Sequence, residues 1–134
     1  MKIKRIALDP DPYERFRLAQ GYRVGDLLFV SGQAAIDHSG RIIGVGDFDA
    51  QAKQAFENLD RVLRAGGSSL RNVIKVTIFL TDMTNFDRIV KLRGQWFTAP
   101  YPADTIVEVR SLYSPDAMIE IEAIAVADSA AERE

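Results

Sequence analysis

The pattern of hydrophobic and polar positions predicts one long amphipathic helix near the middle of the chain. Between Phe48 and Ala65 the apolar residues recur at the i, i+3, i+4 and i+7 spacing of a helix with one buried face. Asp47 suits the N-cap of this helix, and Gly66 and Gly67 suit its end. This segment carries the clearest helical signal in the sequence.

A second, shorter helix is expected after residue 83. Thr84 and Asp87 resemble a capping box, and the helix that they open should run to about Phe97. Pro100 and Pro102 follow, and neither can continue a helix.

Five segments have the composition or the alternation of β-strands. They are Ile3–Leu8, Leu27–Val30, Val73–Thr81, Thr105–Arg110 and Ala117–Ala127. The last two flank a turn-rich segment at residues 113–116, which predicts a closing hairpin. The order of strands and helices indicates an α+β domain in which both helices pack on one face of a largely antiparallel sheet.

The side chains of the later strands separate into two faces, because alternate residues of a strand point to opposite sides of a sheet. The face expected to lie under the helices is almost entirely apolar and comprises Ile74, Val76, Ile78, Leu80, Val107, Val109, Ile119, Ile121 and Ala123. The opposite face is mixed and comprises Val73, Lys75, Thr77, Phe79, Asp104, Ile106, Glu108, Arg110, Glu120, Glu122, Ile124 and Val126. The mixed face is too apolar to stay in water and too charged for a dry core, so we infer that another subunit covers it.

Length and composition fit a single domain over residues 1–134, with a flexible polar tail at about residues 128–134. The chain is 47% hydrophobic and 27% charged and has a formal net charge of −2, which gives no electrostatic reason to expect a nucleic-acid or membrane partner. It contains no cysteine, and no apolar run approaches the ~18 residues that a membrane span requires. A cytoplasmic protein is the expectation that follows.

The strand at the end of the chain provides the first candidate for a chemical group. Its alternation places Glu120 and Glu122 on one face. A carboxylate that is shielded from water has a raised pKa and can hold or move a proton near neutral pH. Both carboxylates can equally be structural, satisfied at an interface by neighbours such as Lys75 and Arg110.

Other polar residues offer weaker signals. Ser31 follows an apolar strand, but His38 lies in a predicted turn and no triad is evident, so a hydroxyl contact is favoured over a nucleophile. With a single histidine and no cysteine, the sequence predicts no metal site.

Several segments, taken in order, resemble one known family. They are Gln20–Gly21, Phe29–Gln33, Gln51–Asn58, Ala65–Gly66, Val76–Asp82, Tyr101–Ala103, Val107–Val109 and Ile119–Val126. In sequence and spacing they resemble the RidA family, also known as the YjgF or L-PSP endoribonuclease family. The resemblance implies a fold similar to chorismate mutase of the Bacillus type. It also implies a homotrimer that binds small molecules in three clefts between subunits.

The resemblance also implies a chemistry. Members of this family hydrolyse reactive enamines and imines to 2-oxo acids and ammonia without a cofactor. Glu120 matches the glutamate thought to position or activate the hydrolytic water, and Ser31 and Gly32 match residues that line the cleft. In such members an arginine clamps the carboxylate of the substrate, but this chain has Asp104 at that position.

The departure at Asp104 reverses a charge, so the usual 2-imino acid substrates are expected to be poor ones. Three other expected cleft positions also differ from the family pattern, namely Leu18, Ile106 and Val90. Arg110 cannot replace the missing arginine, because six residues along a strand span roughly 20 Å. Arg93 stands where many members have tyrosine, and the sequence alone does not place it in the cleft.

Three functions stay open at this point. The first is hydrolytic deamination of an enamine, an imine or a related C–N substrate, with Glu120 handling water and Ser31, Gly32 and Asp104 lining the cleft. The second is a trimer that binds or senses a ligand without catalysis. The third is the ribonuclease or chaperone activity sometimes ascribed to the family. The acidic pI near 5.5 and the lack of a basic stripe disfavour RNA cleavage.

Overall fold

A computed structural model describes residues 1–134 and contains one six-stranded sheet and two α-helices. The strands are β1 (Ile3–Ile6), β2 (Gly21–Val24), β3 (Leu27–Ala34), β4 (Val73–Leu80), β5 (Ala103–Glu108) and β6 (Ile119–Val126). The helices are α1 (Phe48–Ala65) and α2 (Phe86–Trp96). The α+β class that the sequence predicts is confirmed. No helix is long and apolar enough to cross a membrane.

The sheet is antiparallel except at one edge. Its strand order is β1-β2-β3-β6-β4-β5, and only β4 and β5 run parallel. The predicted hairpin of β5 with β6 is therefore wrong, because β4 lies between these two strands. Parallel neighbours require a crossover, and α2 provides it between β4 and β5. The turn-rich segment at residues 113–116 lies in the connection that takes the chain back to the centre of the sheet.

Helix α1 forms as its periodicity predicts. The Asp47 side chain accepts a hydrogen bond from the Ala50 amide at 3.1 Å, and Gly66 occupies the C-cap. The apolar positions of the helix, among them Phe56 and Leu59, are fully buried against the sheet. The sequence-based bounds and cap of this helix are confirmed.

Helix α2 lies beside α1 on the same face of the sheet. The predicted capping box of Thr84 and Asp87 is wrong, because Asp82 caps a preceding 3-10 turn and accepts from the Thr84 amide at 2.9 Å. At the other end of α2, the indole of Trp96 stacks on the ring of Phe56 with 5.4 Å between ring centroids. This aromatic contact joins the two helices in one core.

The predicted faces hold for most of β4 and for β6, but the start of β4 differs. The register with β6 shifts between Val73 and Lys75. This bulge buries Val73 and leaves Ile74 44% exposed, which is the reverse of the predicted pattern. An extra residue in one strand shifts the side-chain alternation by one position.

The prediction also assigns the residues of β5 to the wrong faces. Val76 pairs in register with Asp104, and Ile78 pairs with Ile106. Because Val76 and Ile78 are buried under the helices, Asp104 and Ile106 point to the helix side of the sheet. Ile106 packs against the hydrophobic core. A strand assumed to belong to a hairpin is easily given the wrong register.

The opposite face of the sheet carries no helix. We call it the open face, and its members include Leu27, Phe29, Lys75, Thr77, Phe79, Thr105, Val107, Glu120, Glu122 and Ile124. Phe29 is 44% exposed, and the ammonium of Lys75 donates to the hydroxyl of Thr105 at 2.7 Å. The mixture of exposed apolar groups with charges agrees with the character that the sequence predicts for this face.

Candidate functional site

Glu120 lies at one end of the open face, where the segment that precedes β2 folds over the sheet. There the side chain borders a small cleft of about 160 Å³. We call this the Glu120 cleft, and it is lined by Tyr13, Phe16, Leu18, Gly32, Ile36, Tyr113 and Glu120. Among these seven residues, only Glu120 carries an ordinarily charged side chain.

A buried polar network fixes the segment that walls the cleft. The carboxylate of Asp11 accepts hydrogen bonds from the Tyr13 amide at 3.0 Å and from the side-chain amide of Gln20 at 2.9 Å. The side-chain amide of Gln33 in turn donates to that of Gln20 at 3.0 Å. These bonds attach the segment to β3, so the wall is held by side chains and not by a further strand.

Tyr13 and Gly32 set the position of the Glu120 carboxyl. Tyr13 is only 6% exposed, and its hydroxyl donates to the carbonyl of Gly32. A Cβ atom at Gly32 would lie 2.7 Å from the carboxyl carbon of Glu120, closer than van der Waals contact allows. The absence of a side chain at Gly32 therefore leaves the space that the carboxyl occupies.

The surroundings of Glu120 disfavour its charge. Burial raises the pKa of the Glu120 carboxyl, and the like charge of Glu122 raises it further. Burial also raises the pKa of both Tyr13 and Tyr113, to which the charge of Glu120 adds. A carboxylate destabilised in this way is a better proton acceptor than one in water.

Aromatic rings form much of the cleft wall. The rings of Phe16 and Tyr113 meet edge to face with 5.9 Å between their centroids. Together with Leu18 and Ile36 they give the cleft an apolar lining around one carboxylate. Such surroundings suit a small ligand with an apolar part and one polar reacting group.

A second cleft lies at the β5 edge of the sheet, between α2 and β5. Its volume is about 420 Å³. We call this the Arg93 cleft, and it is lined by Val90, Arg93, Gly94, Phe97, Tyr101, Pro102 and Asp104. The two clefts share no residue.

Arg93 and Asp104 form a bidentate ion pair across this second cleft. The guanidinium Nε donates to Asp104 Oδ2 at 2.8 Å, and Nη2 donates to Oδ1 at 3.0 Å. The side chains are only 24% and 15% exposed, respectively. Asp104 is thus neither an exposed residue without contacts nor a free carboxylate, and the charge reversal expected from the sequence is neutralised by its neighbour.

The structure divides the predicted site residues between these environments. Leu18, Gly32 and Glu120 meet in the Glu120 cleft, whereas Val90 and Asp104 line the Arg93 cleft. Ser31 and Ile106 line neither cleft. The hydroxyl of Ser31 donates to the Ala19 carbonyl at 2.6 Å, and Ile106 packs in the core.

Sequence reasoning missed most of the aromatic lining. Tyr13, Phe16 and Tyr113 lie in turn-rich segments without periodicity, so no pattern marks them. The Arg93–Asp104 pair did leave a signal, because both positions depart from the family pattern and the two new charges are opposite. Opposite charges at two unusual positions indicate a compensating pair.

Comparison with known proteins places the chain in a family. The family model for Endoribonuclease L-PSP matches residues 9–127. The chain belongs to this family, the RidA/YjgF family. A solved structure of RidA from an Antarctic Psychrobacter species superposes with a TM-score of 0.83 at 32% identity, and the match covers 92% of this chain and 98% of that one.

Two relatives illustrate how the family is named. The RutC family protein y4sK of Sinorhizobium fredii is 40% identical over 122 residues, which cover 91% of this chain and 96% of the relative. The human protein named 2-iminobutanoate/2-iminopropanoate deaminase is 32% identical over 108 residues, which cover 81% of this chain and 78% of the relative. Family membership and the chorismate-mutase-like fold expected from the sequence are both confirmed.

Proposed function

We propose that the protein hydrolyses the C=N bond of a small imine, or of the enamine that tautomerises to it, and that it does so without a cofactor. The observation that carries this proposal is Glu120, a half-buried carboxyl with a raised pKa in an otherwise apolar cleft. The deaminases named among its relatives support the same reaction type. No basic side chain lines the Glu120 cleft, which argues against a phosphodiester substrate there.

The chemistry needs one group that can accept a proton and return it. The Glu120 carboxylate takes a proton from a water molecule as the water oxygen bonds to the carbon of the protonated imine, which gives a neutral carbinolamine. Glu120 then returns its proton to the amino nitrogen, the C–N bond breaks and ammonia leaves, and the hydroxyl proton passes to water as the carbonyl group forms. The net reaction consumes one water and releases one ammonia, and Glu120 returns to its ionised state.

We further propose that the protein is a homotrimer in which one Glu120 cleft meets the Arg93 cleft of a neighbouring copy. Apolar side chains of the open face such as Phe29 are exposed in the single chain, and a covering subunit would bury them. Neither cleft alone combines an unpaired carboxylate with a cationic hydrogen-bond donor for the ligand. A site shared between two copies would combine both.

The usual 2-imino acids are expected to be weaker substrates here than in family members with arginine at position 104. The Arg93–Asp104 pair is neutral as a whole, so it attracts an anion less strongly than an unpaired guanidinium. Val90 and Leu18 also make the two clefts more apolar than the family pattern. The proposed ligand is therefore small, with an apolar part that fits these linings.

The direct test generates 2-iminobutanoate in place with a threonine dehydratase and follows its disappearance. We expect acceleration by the protein and a fall of roughly 100-fold or more in kcat for Glu120→Gln, which keeps the shape but cannot accept the proton. Glu122→Gln is the matched control, since Glu122 lies on the same strand outside the cleft, and it should keep kcat at neutral pH. Equal losses in the two variants would rule out the proposed role of Glu120.

A trimer that binds a ligand without turnover is the second candidate. The observation in its favour is that Tyr13, the group that could assist Glu120, already donates its hydroxyl proton to Gly32. Thermal stabilisation by 2-oxobutanoate, together with imine decay no faster than background, would favour this function over hydrolysis.

A further inference from the structure

The guanidinium of Arg93 has N–H donors that its ion pair with Asp104 does not use. Its pair with Asp104 uses Nε and one hydrogen of Nη2. An arginine has five N–H donors, so Nη1 and the second hydrogen of Nη2 have no partner in this pair. Nη1 is not among the buried polar atoms without a partner, so the group is reachable from the Arg93 cleft.

Arg93 is also fixed in place. The carboxylate of Asp104 holds one edge of the guanidinium at two points, and the ring of Phe86 lies 5.8 Å from its central carbon. A guanidinium held by a carboxylate and an aromatic ring loses little conformational freedom when a ligand binds. Such an arrangement is suited to recognition and not only to stability.

We infer that Arg93, positioned by Asp104, binds the carboxylate of the ligand. This inference rests on the proposed function and names its substrate class, an imine or enamine that carries a carboxylate. The free edge of the guanidinium can donate two parallel hydrogen bonds to a carboxylate. The arginine would thus act from α2, where the family pattern places its arginine at position 104 on β5.

The charges in the cleft favour an anion over a cation. Arg93 and Asp104 are its only charged lining residues, since the others are Val90, Gly94, Phe97, Tyr101 and Pro102. Both oxygens of Asp104 already accept from Arg93, and the arginine side chain is the more exposed of the two. A carboxylate at the free guanidinium edge lies nearer to Arg93 than to Asp104, so attraction exceeds repulsion.

The same geometry has a purely structural explanation, in which the pair only fastens α2 to β5. The two explanations predict different responses to Arg93→Gln and Asp104→Asn. If the pair is only a fastener, the two variants should be equally impaired. If Arg93 binds the ligand, loss of the arginine removes binding, whereas loss of the Asp104 charge leaves a guanidinium with no competing anion.

The test is a ligand-detected NMR titration of the wild-type protein and both variants with 2-oxobutanoate, the product of 2-iminobutanoate hydrolysis. We expect Arg93→Gln to weaken binding by about tenfold or more and Asp104→Asn to leave it unchanged or tighter. The uncharged 2-oxobutanamide should bind the wild type and Arg93→Gln equally. Circular dichroism and analytical ultracentrifugation establish that each variant keeps its fold and assembly.

The outcomes separate this inference from the proposed function. Wild-type protein that does not bind 2-oxobutanoate, or two folded variants that lose binding equally, would overturn the role of Arg93. Imine hydrolysis that depends on Glu120 but not on Arg93 would leave the proposed function standing and remove the inference. Carboxylate binding that depends on Arg93 without any imine hydrolysis would support the role of Arg93 and overturn the proposed function.

Discussion

The two clefts of this protein place a carboxylate in opposite electrostatic surroundings. Glu120 has no cationic partner, and burial and Glu122 raise its pKa. Asp104 is also shielded from water, but Arg93 binds both of its oxygens. A buried carboxylate without a cation is poised to take up a proton, whereas a paired one can orient its partner. We therefore propose proton transfer in the first cleft and recognition in the second.

The clefts also differ in how they are built. The Glu120 cleft is walled by residues 11–18, which have little regular structure and are held to β3 by Asp11 and Gln20. The Arg93 cleft lies between a helix and a strand of regular geometry. Space around the Glu120 carboxyl depends on Gly32, whereas Gly94 of the Arg93 cleft has no atom close to where a Cβ would lie. A methyl group added at each glycine should therefore have different effects in the two clefts.

The largest effect should come from the same substitution made in each cleft. Gly32→Ala places a methyl group 2.7 Å from the carboxyl of Glu120 and must displace it, so we expect imine hydrolysis to fall by about 100-fold. Gly94→Ala meets no atom within 4 Å and removes a glycine from α2. It should reduce hydrolysis much less than Gly32→Ala does and raise stability by about 0.5–1 kcal/mol.

The measurements are kcat/KM in the imine assay and the free energy of unfolding in urea. If Gly32→Ala were fully active and as stable as the wild type, Glu120 would not need its observed position. If Gly94→Ala were the more damaging of the two, the Arg93 cleft and not the Glu120 cleft would be the sterically demanding one.

Much of the fold could be predicted, because a helix or strand with one buried face has a regular spacing of apolar residues in the sequence. The apolar period of α1 and the alternation of β6 each follow from one buried face. The position of β5 could not be predicted in this way. Its pairing with β4 depends on the crossover through α2 and not on the turn that follows it. An error in that pairing put Asp104 on the wrong face of the sheet.

The candidate site was predictable where a residue type is unusual for its position, or where the family resemblance marks it, as at Gly32. Glu120 interrupts an apolar strand, and that interruption is visible in the sequence. Tyr13 and Phe16 belong to a segment whose path is set by hydrogen bonds to distant residues such as Gln33. No local pattern encodes such bonds, so these aromatic walls emerged only from the three-dimensional structure.

A second prediction tests whether the two clefts come from different subunits. Glu120→Gln should be nearly inactive alone, and Arg93→Gln should lose about tenfold or more of its kcat/KM. After the two variants are unfolded together and refolded as a 1:1 mixture, random trimers should carry both intact residues in about one quarter of their shared sites. We therefore expect about one quarter of wild-type activity, with the two variants refolded separately and then mixed as the control.

No recovery in the mixed trimers would place Glu120 and Arg93 in the same subunit's site or in unrelated sites. Recovery in the control that was refolded separately would instead indicate subunit exchange, which analytical ultracentrifugation of differently tagged subunits can follow. No recovery would mean that the two clefts do not form a site shared between subunits. Recovery in the control would mean that the mixing experiment cannot distinguish a shared site from subunit exchange.

The smallest expected effect concerns the pH dependence of the Glu120 cleft. Glu120 must be ionised to accept a proton, so kcat/KM should rise with pH through its pKa, which lies above the ordinary glutamate value of about 4.3. Glu122→Gln removes the like charge and should move this acidic limb to lower pH. Because burial is the larger cause of the raised pKa, most of the displacement should persist in the variant.

The pH profile of kcat/KM for Glu122→Gln is best compared with that of Glu57→Gln, which changes a carboxylate of α1 on the other side of the sheet. The α1 variant should keep the wild-type limb. A limb that returned fully to the ordinary glutamate range in Glu122→Gln would mean that charge and not burial controls Glu120, and a limb that moved upward would mean that Glu122 does not raise the pKa of Glu120 by repulsion. The contrast between an unpaired carboxyl in an apolar cleft and a paired one beside Arg93 would then lose its physical basis.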